Sequence, residues 1–114
     1  MKYLVFKSDG TYSVVETSGV MPLEQMQKIV GGYVEHTRHG IFLDGEPVNL
    51  DLFVNEEGWV MEPPLPENPF FPRLAGNAIA GHIDDVGEFQ GVSDSEIPAM
   101  GSRVGVLVLA RDSR

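Results

Sequence analysis

The stretch that decides the fold is Met21-Pro22-Leu23-Glu24-Gln25-Met26-Gln27-Lys28-Ile29-Val30-Gly31-Gly32-Tyr33-Val34-Glu35. Pro22 suits a first helical position, because the N–H that proline lacks has no partner there. Leu23, Met26 and Val30 recur at a spacing of three and four residues, which places them on one helix face. Gly31-Gly32 ends the helix, since glycine adopts the left-handed cap conformation easily. The stretch therefore predicts a helix over residues 22–30 that buries one face, followed by a strand.

Short β-rich runs separated by turns make up most of the remaining chain. Asp9-Gly10 between the runs 2–7 and 12–17 is typical of a β-hairpin. Further runs lie at 33–37, 41–43, 50–54, 59–61, 77–83 and 104–110, with breaks at 39–40, 44–47 and 55–58 and a loop or short helix near 93–96. One helix and several short strands predict a single α+β domain over residues 1–114. We expect a bent, mainly antiparallel sheet with the helix packed on it.

A proline-rich segment interrupts this pattern between residues 62 and 72. Closely spaced prolines exclude a regular helix or an inner strand. The same segment carries Leu65, Phe70 and Phe71, so we expect it to pack across the core as an extended connection.

Charge excludes one class of function. The chain has 17 acidic and 8 basic side chains, which gives a net charge of −9, and its cations are scattered. Phosphate contacts need clustered Lys and Arg, so we expect no direct binding to nucleic acid or to an anionic membrane. The acidity is open to two interpretations, which are simple solubility and mimicry of a DNA backbone.

Residue composition also bears on location. The chain has no cysteine, which excludes disulfides and zinc–thiolate sites. Its apolar runs are too short for a signal-peptide core or for a segment that spans a bilayer. We therefore expect a soluble, cytoplasmic protein.

Several motifs in order resemble a small family of bacterial and bacteriophage proteins, one of the numbered domains of unknown function. The motifs are residues 23–35 (LEQMQKIVGGYVE), Val54-Asn55-Glu56-Glu57-Gly58, Leu65-Pro66-Glu67-Asn68-Pro69 and Ala80-Gly81-His82-Ile83. They cover residues 1–86, and residues 87–114 match only loosely. The chain departs from the family where Phe70-Phe71 replace a small, alanine-bearing segment, which would reshape any pocket there. The resemblance implies an intracellular phage or mobile-element protein that acts on host machinery by binding.

Catalytic and metal-binding residues are not clearly indicated. His82 and Asp84, with Asp85 beside them, could hold a divalent metal from one strand face, or His82 could be an ordinary edge residue. Glu35 and His39 could meet across a turn for acid–base chemistry, or be unrelated. No Cys or Gly-x-Ser-x-Gly nucleophile exists. We therefore assign no catalytic residue, metal or cofactor.

Aromatic and polar residues offer a candidate ligand site. Aromatic rings could stack on a nucleotide base, and arginines could bind its phosphate. An asparagine among the prolines could hydrogen-bond a polar edge of the ligand. The same aromatic residues could instead form core, and the asparagine could instead satisfy backbone groups. The candidate ligand-binding residues are Tyr33, Arg38, Trp59, Asn68, Phe70 and Arg73.

These observations favour a non-enzymatic phage or mobile-element accessory protein. It would bind a host protein or sequester a small nucleotide-like signalling ligand, and self-association could build a pocket between subunits. One alternative is an acidic DNA mimic that inhibits a host DNA-binding or restriction protein. A further alternative is a small enzyme with a His/carboxylate site. The mimic would gather acids on one face, drawn from Glu56, Glu57, Asp84, Asp85 and Glu88.

Overall fold

Antiparallel strand pairing organises the whole fold. The computed structural model describes residues 1–43, 46–97 and 108–109. Its elements are β1 (Lys2–Phe6), β2 (Tyr12–Glu16), α1 (Leu23–Val30), β3 (Val34–Leu43), β4 (Glu46–Asn55), β5 (Ala78–Ile83), β6 (Phe89–Gln90), a 3₁₀ turn (Asp94–Glu96) and β7 (Val108–Leu109). The sheet order is β2-β1-β5-β4-β3-β7, and β6 pairs with β5 as a branch. The described pairs are antiparallel, so the predicted α+β fold is confirmed.

Helix α1 ends as the sequence predicts but begins one residue later. Pro22 is the extended N-cap residue, with ψ of 150°, and Gly31 is the left-handed C-cap, with φ of 84°. Met26 and Val30 are buried, whereas the predicted burial of Leu23 is wrong, because this side chain is 55% exposed. Leu23 lies in the first helical turn, and Met21 fills the adjoining core instead. No helix in the described ranges is long and apolar enough to cross a bilayer.

The sheet separates two cores. Helix α1 covers one face, where Met26 and Val30 pack with Tyr3, Val5 and Ile79. The proline-rich segment covers the other face through two aromatic rings. The ring centroids of Phe70 and Phe71 lie 4.9 and 5.2 Å from that of Phe6. The prediction that this segment packs across the core is therefore confirmed.

Three local predictions need correction. Strand β3 continues through His39-Gly40, because β4 pairs with it from Val34 to Leu43. This continuous pairing outweighs the low strand preference of glycine. Residues 59–61 form a turn and not a strand, since the N–H groups of Val60 and Met61 both donate to the carbonyl of Glu57. Strand β6 was not predicted. The turn at Asp44-Gly45 and most of the run 104–110 lie outside the described residues.

Candidate functional site

Two of the sequence motifs meet at the carboxyl end of α1. The β3–β4 ladder pairs Val34 with Asn55, which brings Gly31-Gly32-Tyr33 beside the turn that follows β4. The N–H of Glu56 donates to the carbonyl of Tyr33 over 2.8 Å. Motifs that are about twenty residues apart in sequence thus form one local structure.

Asn55 links the helix to this turn and is only 6% exposed. Its side-chain N–H donates to the carbonyl of Val30 over 3.1 Å, and its Oδ1 accepts the N–H of Glu57 over 2.7 Å. A side chain on Gly32 would crowd this amide, since a Cβ there would lie 2.9 Å from Nδ2. Glycine at position 32 is therefore explained by the close approach of Asn55.

A second asparagine also bonds the carboxyl end of this helix. The side-chain N–H of Asn77 donates to the carbonyl of Ile29 over 3.0 Å, and its Oδ1 accepts the N–H of Ser8 at the same distance. The N–H groups of Gly31 and Gly32 both donate to the carbonyl of Gln27. The last carbonyls of a helix lack partners within the helix, and three of those of α1 are satisfied by these groups.

An open cavity of about 400 Å³ lies where the motifs meet. It is lined by Gln27, Gly31, Gly32, Tyr33, Asn55, Glu57 and Met61. None of the described lining residues is Lys or Arg. The Glu57 carboxylate is the charged group of this lining, and Gln27, Tyr33 and Asn55 add neutral polar side chains. The described lining therefore carries net negative charge.

Exposed apolar and acidic side chains lie at Tyr33 and in the turn that carries Glu57. Tyr33 is 69% exposed, Trp59 50% and Val60 78%. Glu56 and Glu57 are exposed in the same turn as Trp59 and Val60. We call these five residues the helix-end surface. An exposed apolar patch with a charged rim is typical of an interaction site.

Comparison with protein families places both motifs of this site within one family. The family model described as "Domain of unknown function (DUF3846)" matches residues 1–104. The chain belongs to the DUF3846 family. The matched range of this DUF3846 domain includes all the residues that line the cavity. No curated protein and no solved structure matches the chain significantly.

The six candidate ligand residues of the DUF3846 domain lie in different surroundings. Of the cavity described above and a neighbouring cavity at the same helix end, the first includes Tyr33 and neither includes the other five. Trp59 lies beside Arg73, because its indole N–H donates to the carbonyl of Arg73 over 2.8 Å. Arg38 is exposed on β3, and Phe70 is buried in the core. A nucleotide site built from all six therefore has no counterpart among the described cavities.

Asn68 is an internal support in this DUF3846 domain. It is 0% exposed, and its side-chain N–H groups donate to the carbonyls of Phe6 and Gly76, each over 2.9 Å. Its Oδ1 accepts the N–H groups of Phe70 at 2.9 Å and Phe71 at 3.3 Å. Both amide donors and the acceptor are thus used within the protein. The geometry favours the structural interpretation of Asn68.

A His–Asp pair on the helix-covered face was not predicted. His36 Nε2 lies 2.9 Å from Oδ1 of Asp51, while Oδ2 of Asp51 accepts the N–H of Ile83 over 2.8 Å. The β4–β5 ladder ends where Asp51 pairs with Gly81, and β5 then pairs with β6. Asp51 therefore holds β5 at the point where it diverges from β4. A His–Asp pair can orient an imidazole for proton transfer, but neither described cavity includes these two residues.

The other two histidines have partners that the sequence did not indicate. His82 Nε2 lies 2.8 Å from a carboxylate oxygen of Glu96, whereas Asp84 accepts the N–H groups of Val86 and Glu88. Burial raises the pKa of Glu96, but its hydrogen bonds to Ser93 and His82 lower it, to a net value below the usual one. Within the described ranges, no three His, Asp or Glu residues lie close enough to hold a metal ion.

His39 and Glu35 do not meet across a turn, because both lie on the continuous strand β3, roughly 13 Å apart at about 3.3 Å per residue. The His39 ring packs edge-on against Phe71, with a centroid distance of 5.6 Å. Burial lowers the pKa of His39, and the charge of Arg73 lowers it further. His39 is therefore favoured as a neutral group packed over the core.

The acidic residues considered for DNA mimicry do not form one patch. Glu56 and Glu57 follow β4, whereas Asp84, Asp85 and Glu88 follow β5. Because β4 and β5 are antiparallel, the two groups lie at opposite ends of the pair, about eight residues or roughly 26 Å apart at about 3.3 Å per residue.

Tyr33 is the candidate ligand residue from the sequence that lines this cavity. The sequence did not indicate that Gln27, Gly31, Gly32, Asn55, Glu57 and Met61 would lie around it. The available signal was the length of the β3–β4 hairpin, which sets Val34 opposite Asn55. A strand break assumed at His39-Gly40 hid this pairing.

Proposed function

We propose that this DUF3846 protein is a non-enzymatic binding protein that recognises a basic segment of another protein through the helix-end surface. The observation that carries the proposal is the exposure of Tyr33, Trp59 and Val60 together with the carboxylates of Glu56 and Glu57. Tyr33 and Glu57 also line the cavity. Exposing large apolar side chains to water is unfavourable. A partner that covers them would recover that free energy.

Charge complementarity defines the partner. Glu56 and Glu57 lie on the helix-end surface, and the whole chain carries a net charge of −9. A basic segment is attracted to such a surface and an acidic one is repelled, since complementary potentials steer association. Lys and Arg residues in the partner would flank an apolar contact with Tyr33 and Val60.

Hydrogen bonds hold the backbone beside the surface. The Asn55 and Asn77 side chains both bond the carboxyl end of α1, and the Trp59 indole N–H donates to the backbone of Arg73. Binding to a preorganised surface loses less conformational entropy than binding to a mobile one. The proposal includes the role implied by the sequence resemblance, which is a phage or mobile-element accessory factor acting in the host cytoplasm.

A random 12-residue peptide display library tests the proposal. Peptides selected on the immobilised protein should be enriched in Lys and Arg and should bind Tyr33→Ala and Val60→Ala at least about fivefold more weakly, which corresponds to about 1 kcal/mol. Val86→Ala is the matched control, since Val86 is 79% exposed and Val60 is 78% exposed, and Val86 lies beyond β5.

Two results would contradict the proposal. One is a library that yields no enriched basic peptide, and the other is a set of peptides that bind all three variants equally. Peptide binding that is lost at raised salt but is unchanged by Tyr33→Ala would instead favour a diffuse acidic surface, as in DNA mimicry.

A further inference from the structure

We infer that the cavity beside α1 binds a guanidinium group, presented by an arginine side chain of the partner segment. This inference rests on the proposed function and names the chemical group that anchors the partner. The cavity, at about 400 Å³, is near the small end of ligand pockets and suits one side chain.

The chemistry of the cavity wall selects a cationic donor. Glu57 contributes a carboxylate, Gln27 contributes an amide group that can accept a hydrogen bond, and the cavity lies at the carboxyl end of α1. That end of a helix carries partial negative charge and favours cations. A guanidinium has five N–H donors and no acceptor, so it can satisfy several acceptors at once.

The lining offers an aromatic contact for a flat cation. Gly31 and Gly32 contribute backbone without side chains, and a Cβ on Gly32 would collide with the Asn55 amide. Tyr33, which is 69% exposed, and Met61 also line the cavity. A guanidinium plane can lie against an aromatic face and gain cation–π attraction.

A phosphate-bearing ligand does not suit this wall. Lys28, the cation nearest in sequence to the helix end, lines the neighbouring cavity with Asn77 and not this one. The Gly31 and Gly32 N–H groups, which could bind an anion, are already donated to the carbonyl of Gln27. An anion would therefore meet the Glu57 carboxylate with no Lys or Arg among the described lining residues to offset it, and would be repelled.

Small neutral and charged probes separate charge from shape. We would titrate N-acetyl-arginine amide, its neutral isostere N-acetyl-citrulline amide and N-acetyl-lysine amide into ¹⁵N-labelled protein at low salt. The arginine probe should shift the amide resonances of Gly31, Gly32 and Glu57 with millimolar affinity, and the citrulline probe should bind about tenfold more weakly or not at all. The lysine probe, which lacks the planar fork, should bind more weakly than the arginine probe.

The variants Glu57→Gln and Glu88→Gln provide a matched pair. Both residues are exposed, but Glu57 lines the cavity, whereas Glu88 lies beyond β5 and outside the helix-end surface. Glu57→Gln should weaken the arginine probe about fivefold, whereas Glu88→Gln should change its affinity less than about twofold. A dispersed spectrum of each variant confirms that it is folded.

The inference is overturned if citrulline binds as well as arginine, if the shifts map away from the cavity, or if arginine causes no shift up to about 20 mM. Selected peptides that still require Tyr33 in that case would leave the proposed function intact. Arginine binding in the cavity without any selected peptide would support the guanidinium site and contradict the proposed function.

Discussion

Asn55 donates its side-chain N–H to the carbonyl oxygen of Val30, the last residue of α1, over 3.1 Å. The bond joins the end of the helix to the end of the central strand β4. It satisfies a carbonyl that the helix itself cannot satisfy. It also holds Gly31 and Gly32 of the cavity lining beside the turn that carries Glu57.

Replacement of Asn55 by alanine should destabilise the fold by about 1–3 kcal/mol, because the Val30 carbonyl and the Glu57 N–H both lose a partner. Urea unfolding measures the change. Asn49→Ala, at an exposed position of β4, is the control and should change stability by less than about 0.5 kcal/mol. Equal effects at the two positions would contradict the role given to Asn55.

Gly32→Ala should also destabilise the protein, because its Cβ would lie 2.9 Å from the Asn55 side-chain nitrogen. Gly19→Ala is the control, since a Cβ there has nothing within 4 Å. The clash requires the Asn55 amide, so the double variant with Asn55→Ala should lose less stability than the sum of the single losses. A double-mutant cycle with purely additive losses would refute this coupling.

Asn68→Leu should cost about 2–4 kcal/mol, because it removes a buried amide that bonds the backbone at Phe6, Gly76, Phe70 and Phe71. Asn49→Leu, on the surface, is the matched control. The free energy of unfolding from urea titration distinguishes them. Retained stability in Asn68→Leu would show that the proline-rich segment is held by Phe70 and Phe71 alone.

Asp51 should contribute a pH-dependent part of the stability. Burial raises its pKa, but hydrogen bonds from the Ile83 N–H and from His36, with the charge of Arg38, lower it to a net value below the usual 3.8. Because the folded pKa is the lower one, the contribution is complete well above pH 3.8 and is lost as the pH falls through the folded value.

Asp51→Asn should therefore destabilise the protein at neutral pH, and the difference from wild type should shrink in acid. Urea midpoints measured from about pH 7 to about pH 3 test this, with the exposed Asp85→Asn as control. A difference that stays constant across this range would contradict the assigned role of the Asp51 carboxylate.

Local signals in the sequence were sufficient for the helix end and the first hairpin. Gly31 adopts the left-handed conformation that a helix C-cap requires, and Asp9-Gly10 forms the turn between β1 and β2. Burial of Leu23 was predicted wrongly because helical spacing defines a face but not how far the sheet extends beneath it. The run 59–61 was misassigned because its β-forming residues lie in a turn set by hydrogen bonds to Glu57.

The partners of the histidines could not be derived from sequence. His36 with Asp51 and His82 with Glu96 are pairs 15 and 14 residues apart. Each depends on strand register or on where the 3₁₀ turn docks. Nearer carboxylates such as Glu35 and Asp84 looked equally suitable, but strand alternation and a local turn direct them elsewhere.

By itself the sequence determined the α+β class, the helix bounded by Pro22 and Gly31, and the acidic net charge, because these depend on local propensity and composition. Only the tertiary structure decided that the Gly31-Gly32-Tyr33 motif meets Asn55 and Glu57 around a cavity. The physical reason is register. The pairing of Val34 with Asn55 is fixed by the whole β3–β4 ladder, and no single residue in either motif encodes it.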